Sequence, residues 1–402
     1  MRGVRGRLSP RTNRPKGRVL FAGQSYYHAW YLSRELRKLG WKADVLNWDA
    51  NPRSQLYYHG EDYRLTSHRP WDLARQLAFY AWAAPRYDVF HFSNAWGMRF
   101  GDYFARVVQI ILREGAEVRL LKRLGKVIVY SNNGCFDGVM QSTFDNWGPE
   151  PTCEICPWHL RPDVCSDERN ARWGRLRNGL ADFQVNWSGN RADWNDDPRV
   201  HEVPEFYCLD PDVWSPALEV PERLRLDMAR ETFKVYHAVG NADTRSAART
   251  RIGLKSSHIW FPLVDDLRNE GRDIDLCYFT EVPNKDVRFY QLQADVVCDM
   301  LTFGWFGANV REAMMLGKPA IAYLRPKWIE NVRDEVPGYV EELPVVSATP
   351  ATAREVLIEL MDDPERRRDL GEQGREFALK WHSAAAGARR FDQIYGELLE
   401  RR

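Results

Sequence analysis

The stretch GRVLFAGQSYYHAWYLSRELRKLGWKADVLN, residues 17–47, decides the fold. Val19 to Ala22 is a short apolar run closed by Gly23, and Ala29, Leu32, Leu36 and Leu39 then recur at helical spacing until Gly40. A second apolar run, Ala43 to Leu46, follows. Strand, helix and strand in this order form a βαβ unit, whose crossover makes the two strands parallel. Further buried-type runs lie at Val89 to Phe92, Val127 to Tyr130 and Phe183 to Val185, with helical stretches between them. Such runs belong to a parallel α/β sheet covered on both faces.

The same rhythm restarts further on. Residues 206–221 hold Pro211, Pro216 and Pro221 among acidic residues and read as the connection between two domains. Strands are expected at Phe233 to Val239, Asp275 to Phe279, Val296 to Cys298 and Ala320 to Tyr323. A helix over Ser256 to Asn269 turns Ile259, Trp260, Leu263, Val264 and Leu267 inward, and another lies near Val287 to Gln293. From Ala351 onward the chain is helical, with a break at Trp381 to Ser383 and an apolar stripe of Phe391, Ile394, Tyr395 and Leu398 on the last helix. We therefore expect a basic arm over 1–17, a first Rossmann-like domain over 18–210, a second over 222–380, and a final helix over 381–402 that crosses back to the first. Two doubly wound sheets place the C-terminal edges of their strands around a common cleft, where open sheets bind ligands.

Length and charge agree with this division, since 402 residues exceed one ordinary core. The net charge of +1 gives no general attraction for nucleic acid and argues against a zinc-ribbon nucleic-acid binder. No apolar run is long enough to span a bilayer and no signal segment opens the chain, so a cytoplasmic location is expected. The first 18 residues carry seven basic and no acidic residue. They read either as a solvated tail or as an arm that touches the inner face of an anionic membrane.

The segment from Gly304 to Pro319, GWFGANVREAMMLGKP, is the strongest functional signal. A glycine-containing turn runs directly into a helix, so backbone N–H groups at Gly307, Ala308 and Asn309 are available to an anion such as a nucleoside diphosphate. Glu312, Ala313, Met314, Gly317 and Pro319 in this segment resemble the signature of the retaining glycosyltransferases of family four, also called glycosyltransferase group 1. That resemblance implies the GT-B fold, transfer of a sugar from a nucleoside diphosphate sugar to an acceptor hydroxyl, and retention of configuration. In the family's pattern a first glutamate stands eight positions before Glu312; here that position is Gly304. Asp299, at the end of Ala294 to Asp299, is the carboxylate available to replace it.

The resemblance extends to the order of His237-Ala238, Lys255-Ser-Ser and Val282-Pro-Asn284. It implies a basic pair for the donor diphosphate, Lys255 with Arg251 or Arg249, because a departing diphosphate needs fixed cations. In the first half, Gly23-Gln24-Ser25 stands at the family's small-residue loop, and Tyr87 to Phe92 at its Asp-x-x-His strand. Asn132 to Asp137 takes the place of its His-Gly-x-Asp segment, with Asn133 where histidine is commoner. Glu312, Asp299 and Asp137 are thus the expected catalytic carboxylates. Gly23, Arg251, Lys255, Gly307, Ala308 and Asn309 are the expected donor contacts, and Gln24, His91 and Asn133 the acceptor contacts. No metal is expected at the donor. The acceptor class stays open between glycan, lipid-linked and small-molecule hydroxyls.

Cys135, Cys153, Cys156 and Cys165 form the spacing Cys-x17-Cys-x2-Cys-x8-Cys inside a tryptophan-rich insertion over 135–177. Thiolates so spaced suit a structural zinc ion, with His159 as a competing ligand and plain reduced thiols as the alternative. Two further readings of the whole chain remain open from sequence. One is a GT-B-shaped binding protein without turnover, and the other a nucleotide-sugar epimerase on the same fold.

Overall fold

A computed structural model describes residues 15–23, 26–48, 58–93, 98–132, 137–149, 151–156, 158–159, 161–186, 191–229, 231–239, 253–280 and 282–402. The first sheet is built from β1 (Arg18–Ala22), β2 (Lys42–Asn47), β3 (Tyr63–Arg64), β4 (Val89–Phe92), β5 (Val127–Ser131), β6 (Phe183–Asn186) and β7 (Val200–Glu202). Its helices are α1 (His28–Lys38), α2 (Asp72–Ala83), α3 (Asp102–Ile111), α4 (Ala116–Arg123), α5 (Gln141–Phe144) and α6 (Asp167–Leu180). The second sheet is built from β8 (Phe233–Val239), β9 (Ile274–Thr280), β10 (Val296–Cys298), β11 (Ala320–Ala322) and β12 (Val346–Ser347). Around it lie α7 (Ser257–Asn269), α8 (Asn284–Gln293), α9 (Ala308–Met315), α10 (Pro326–Glu335), α11 (Ala353–Asp362), α12 (Pro364–Trp381) and α13 (Ala384–Glu400).

Both sheets are parallel throughout, in the orders β3-β2-β1-β4-β5-β6-β7 and β12-β11-β10-β8-β9. The strand order reverses between β1 and β4 in one sheet and between β8 and β10 in the other. Those reversal points are where loops diverge and a ligand crevice opens. The edge strands β3, β7 and β12 are two or three residues long, too short to leave an alternating pattern in the sequence.

Alternation along the strands divides the core into layers. On β1, Val19 and Phe21 join one cluster, and Leu20 and Ala22 join the other under α3 and α4. On β10, Val297 joins the cluster that contains Phe21, and Val296 and Cys298 pack under α7 and α11. The shared cluster runs through both sheets by way of the connection between them, where Phe206, Tyr207, Cys208, Leu209 and Trp214 are fully buried. This connection is pinned to the break before α13: Leu209 N–H donates to His382 O at 2.8 Å, and Ala384 N–H to Leu209 O at 2.7 Å.

The final helix α13 lies on the first sheet beside α1. Phe391, Ile394, Tyr395 and Leu398 are its buried stripe. Asp392 accepts from Trp41 Nε1 at 2.7 Å and from Lys16 Nζ at 2.9 Å, and Arg402 pairs with Asp182 at 2.8 Å. No helix among the described residues is long and apolar enough to cross a membrane.

Candidate functional site

At the reversal point of the second sheet, the start of α7 meets the end of β10. His237, buried on β8, has Nε2 2.8 Å from Ser257 Oγ and Nδ1 3.0 Å from Cys298 O, which ties the start of α7 to the end of β10. Burial brings its imidazole down to about 4, so the ring is neutral and holds this junction as a hydrogen-bond bridge. Ser256, at φ +60°, turns the chain into α7 and leaves Lys255 pointing toward the end of β10.

Lys255 Nζ stands 2.8 Å from Asp299 Oδ1, and Asp299 Oδ2 accepts the Gly307 N–H at 2.9 Å. Burial alone raises the Asp299 carboxyl, but the Lys255 ammonium and the Gly307 N–H outweigh it and hold the group below its ordinary range. A Cβ on Gly307 would come 3.1 Å from Lys255 Nζ and 3.2 Å from Asp299 Oδ2, so a side chain there would push on the ion pair. Gly307, Ala308 and Asn309 are partly exposed, in a neighbourhood that is otherwise closed. The N–H groups of a helix's first turn have no partner within the helix, and the positive end of the helix dipole adds to the Lys255 charge.

Glu312 is placed differently from the sequence expectation. It is wholly buried, one turn into α9. Tyr27 Oη donates to its Oε1 at 2.6 Å, Asn284 Nδ2 to Oε1 at 2.9 Å and Gln291 Nε2 to Oε2 at 3.0 Å. Burial raises its carboxyl above the usual carboxylate range, and the three donors offset part of that. Tyr27 comes from the start of α1, so this contact joins the two domains across the cleft. Tyr27 and Gln291 carry no motif in the sequence, and Asn284 entered only as the end of the Val282-Pro-Asn284 segment; their convergence on Glu312 is what marks all three.

The glycine in place of the first glutamate has a backbone reason. Gly304 sits at φ +89°, and a Cβ there would lie 2.8 Å from Arg325 Cβ. A glutamate is strained at that position. The insertion closes over the same loop, with the Arg325 guanidinium 4.1 Å from the Trp147 ring centroid and Phe144 4.8 Å from Phe303.

Two expected contacts are corrected by the structure. His91 is not in the cleft: it is fully buried, with Nδ1 2.6 Å from Tyr395 Oη and Nε2 on Ser131 Oγ. It lies between the first sheet and α13, because a side chain inside β4 alternates into a core layer rather than out of the strand's end. Asp137 forms a buried ion pair with Arg177 at 3.1 Å and accepts from Tyr130 Oη at 2.8 Å and Trp173 Nε1 at 2.7 Å. It anchors the loop after β5 and presents no carboxylate to a substrate. Gly23, at φ +71°, directly follows β1 with Trp48 Nε1 2.7 Å from where a Cβ would be, so the turn there requires glycine. Gln24, Asn133, Arg251 and Cys135 lie outside the described residues.

Cys153, Cys156, Cys165 and His159 line one small cavity together with Gln141, Phe144 and Leu254. Within it Gln141 Nε2 approaches Cys165 Sγ at 3.4 Å, and Cys153 Sγ faces Gln141 O at 3.7 Å. The donor chemistry suits zinc. Among the described residues, however, no group of three His, Cys, Asp or Glu side chains is arranged to hold a metal ion.

Comparison with known proteins agrees with this architecture. Residues 267–377, from the end of α7 to α12, match the family model described as glycosyl transferases group 1. No curated protein matches the chain by sequence. Among solved structures, sucrose-phosphate synthase from Thermosynechococcus elongatus superposes with a TM-score of 0.59 at 14% identity, over 96% of this chain and 100% of that one. HepE of Anabaena, in complex with UDP and glucose, gives 0.59 at 13% identity over 94% and 99%. The catalytic domain of starch synthase IV from Arabidopsis thaliana, bound to ADP and acarbose, gives 0.53 at 12% identity over 96% and 99%. The fold is GT-B.

Proposed function

We propose that this chain is a glycosyltransferase that moves a sugar from a nucleoside diphosphate sugar to an acceptor hydroxyl with retention of configuration. The observation that carries the reading is the cation and helix start at the end of β10, with Lys255 Nζ 2.8 Å from Asp299 and Gly307 N–H bonded to the same carboxylate. One ammonium hydrogen is thereby used and two remain for diphosphate oxygens. The N–H groups of Ala308 and Asn309 complete the cradle. Asp299 then acts as a positioning residue that holds Lys255 against the helix start. The group 1 match covers this segment, and the nucleotides bound to HepE and to the starch synthase supply the donor class.

Fixed donors of this kind act where charge grows on the leaving diphosphate. Closing the cleft removes water, strengthens these interactions and suppresses hydrolysis of the donor. Glu312 contributes through the Tyr27 contact by setting the closed arrangement. The decisive experiment is a thermal-shift and calorimetric panel of UDP, ADP, GDP and their sugars, followed by analysis of the product anomer. Stabilisation by one nucleoside diphosphate and a retained anomer are expected. Binding without transfer to any hydroxyl would favour a binding protein, an epimerised donor would favour an epimerase, and no binding at all would overturn the reading.

We also propose a structural zinc at the cysteine-lined cavity, with Cys153, Cys156 and Cys165 as ligands once drawn together and Cys135 as the fourth. It would pin the insertion and take no part in transfer. Elemental analysis of protein purified without chelators tests this, and the absence of metal would overturn it.

A further inference from the structure

The face of the first domain formed by α2, α3 and α4 leaves large apolar side chains in solvent. Among the described residues, seven of the eight large apolar side chains that stand exposed lie between Trp71 and Leu124, and only Leu379 lies elsewhere. Ile110 and Ile111, at the end of α3, are 83% and 72% exposed, and Leu112 follows them. After a three-residue turn, Leu120 and Leu124 stand out from α4, and Trp71 and Leu77 from α2, which packs beside α3. Isolated exposed leucines are ordinary; a cluster on one face is not.

This face is held in place. Phe104, Ala105 and Val108 of α3, and Val118 and Leu121 of α4, are buried in the core beneath the sheet. Gly115, at φ +75°, lets the turn lie against α6, where a Cβ would come 2.8 Å from Leu180 Cδ1. The outer residues therefore project from a rigid support, and the inner face of each helix already has its core.

The charges around the patch are predominantly basic. Residues 69–126 hold ten Lys and Arg against five Asp and Glu, in a chain whose net charge is only +1. The acidic groups are buried or have partners, Asp88 accepting the Arg18 N–H at 3.0 Å. Asp72 and Glu117 are buried, Asp102 faces Arg99 at 3.3 Å and Glu114 faces Arg172 at 3.3 Å. Arg106, Arg113 and Arg123 are exposed and enter no ion pair among the described residues. Aliphatic tips framed by outward arginines, with a tryptophan at the margin, match the boundary between headgroups and acyl chains of an anionic bilayer.

We propose that the α2–α4 face of the first domain docks on an anionic membrane surface, with Ile110, Ile111, Leu112, Leu120 and Leu124 entering the headgroup boundary and Arg113 and Arg123 contacting lipid phosphates. This surface stands independently of the transfer reaction.

The test is co-sedimentation of the full chain with phosphatidylcholine vesicles and with vesicles containing about one third phosphatidylglycerol, at low salt and at about 0.5 M salt, where charge attraction is screened. Binding to the anionic vesicles that weakens with salt is expected. Ile110→Glu/Ile111→Glu should lower the partition at least about tenfold, since it removes two buried aliphatic side chains and adds repulsion. Its melting temperature should be unchanged, because both positions are exposed. Arg113→Glu/Arg123→Glu should weaken binding to anionic vesicles alone. Failure to bind either vesicle would overturn the proposal. Undiminished binding of the Ile110/Ile111 variant would also overturn it, because the contact would then belong to the basic arm. So would a wild-type dimer that this variant dissolves and that forms without lipid, since the face would then bind a second copy.

Discussion

Tyr27→Phe removes the hydrogen bond that reaches Glu312 from the opposite domain, together with the hydroxyl's contact with Tyr207. Both residues are fully buried, and the bond is 2.6 Å long. The ring keeps its contacts, 4.7 Å from Trp214 and 5.9 Å from Tyr207, so only interactions of the hydroxyl are lost, and the pH dependence separates the Glu312 bond from the Tyr207 contact. A hydrogen bond to a buried carboxylate contributes about 1.5–3 kcal/mol, and we expect about 2 kcal/mol to be lost above the folded-state pKa of Glu312. The pH dependence fixes the cause. Burial holds the Glu312 carboxyl above its reference value of 4.5, so the folded state binds the proton more tightly than the unfolded chain. The contribution is fully present below that reference value and is lost as pH rises through the folded value. Losing a donor raises the folded value further, so Tyr27→Phe should cost most above it and only about 0.5–1.5 kcal/mol, the worth of a neutral bond, in acid. Urea unfolding followed by tryptophan fluorescence from pH 4 to 8 measures this. A loss that is equal across the range, or smaller than about 0.5 kcal/mol throughout, would refute the reasoning.

Other expectations follow from the same geometry. Lys255→Ala should weaken nucleoside diphosphate binding at least about tenfold and also destabilise the fold by leaving Asp299 buried without its cation. Adding Asp299→Asn should restore stability but not affinity, and recovery of affinity in calorimetry would remove Lys255 from the donor site. Gly304→Glu should not raise activity and should cost about 1–3 kcal/mol, because the left-handed backbone and Arg325 oppose the side chain; a gain in turnover would show that the missing glutamate is a deficit. A chain ending at Lys380 should lose the Tyr395–His91 and Asp392–Trp41 contacts, and with them stability and activity together. An unchanged melt would show that α13 does not hold the first sheet. His91→Gln should lower stability and leave the acceptor KM unchanged; a selective rise in KM would return His91 to the cleft.

The sequence by itself determined the elements that can report on their own neighbours. Val19 to Leu46 declares strand, helix and strand because each face it buries recurs within a few residues, and Phe233 to Val239 and Val296 to Cys298 are apolar runs bounded by turn residues. The helix start at Gly307 was likewise legible, since glycine placement and the following helical pattern are local. The short edge strands were not, because two residues carry no period. Tertiary structure alone decided what the polar residues do. Glu312 read as a catalytic carboxylate near a helix start until Tyr27, 285 residues away, closed on it. His91 and Asp137 looked like cleft residues until α13 and Arg177 claimed them. Periodicity records which face of an element is buried, but a polar side chain's role depends on which distant partner meets it. That partner is fixed only when the two sheets and the last helix pack together.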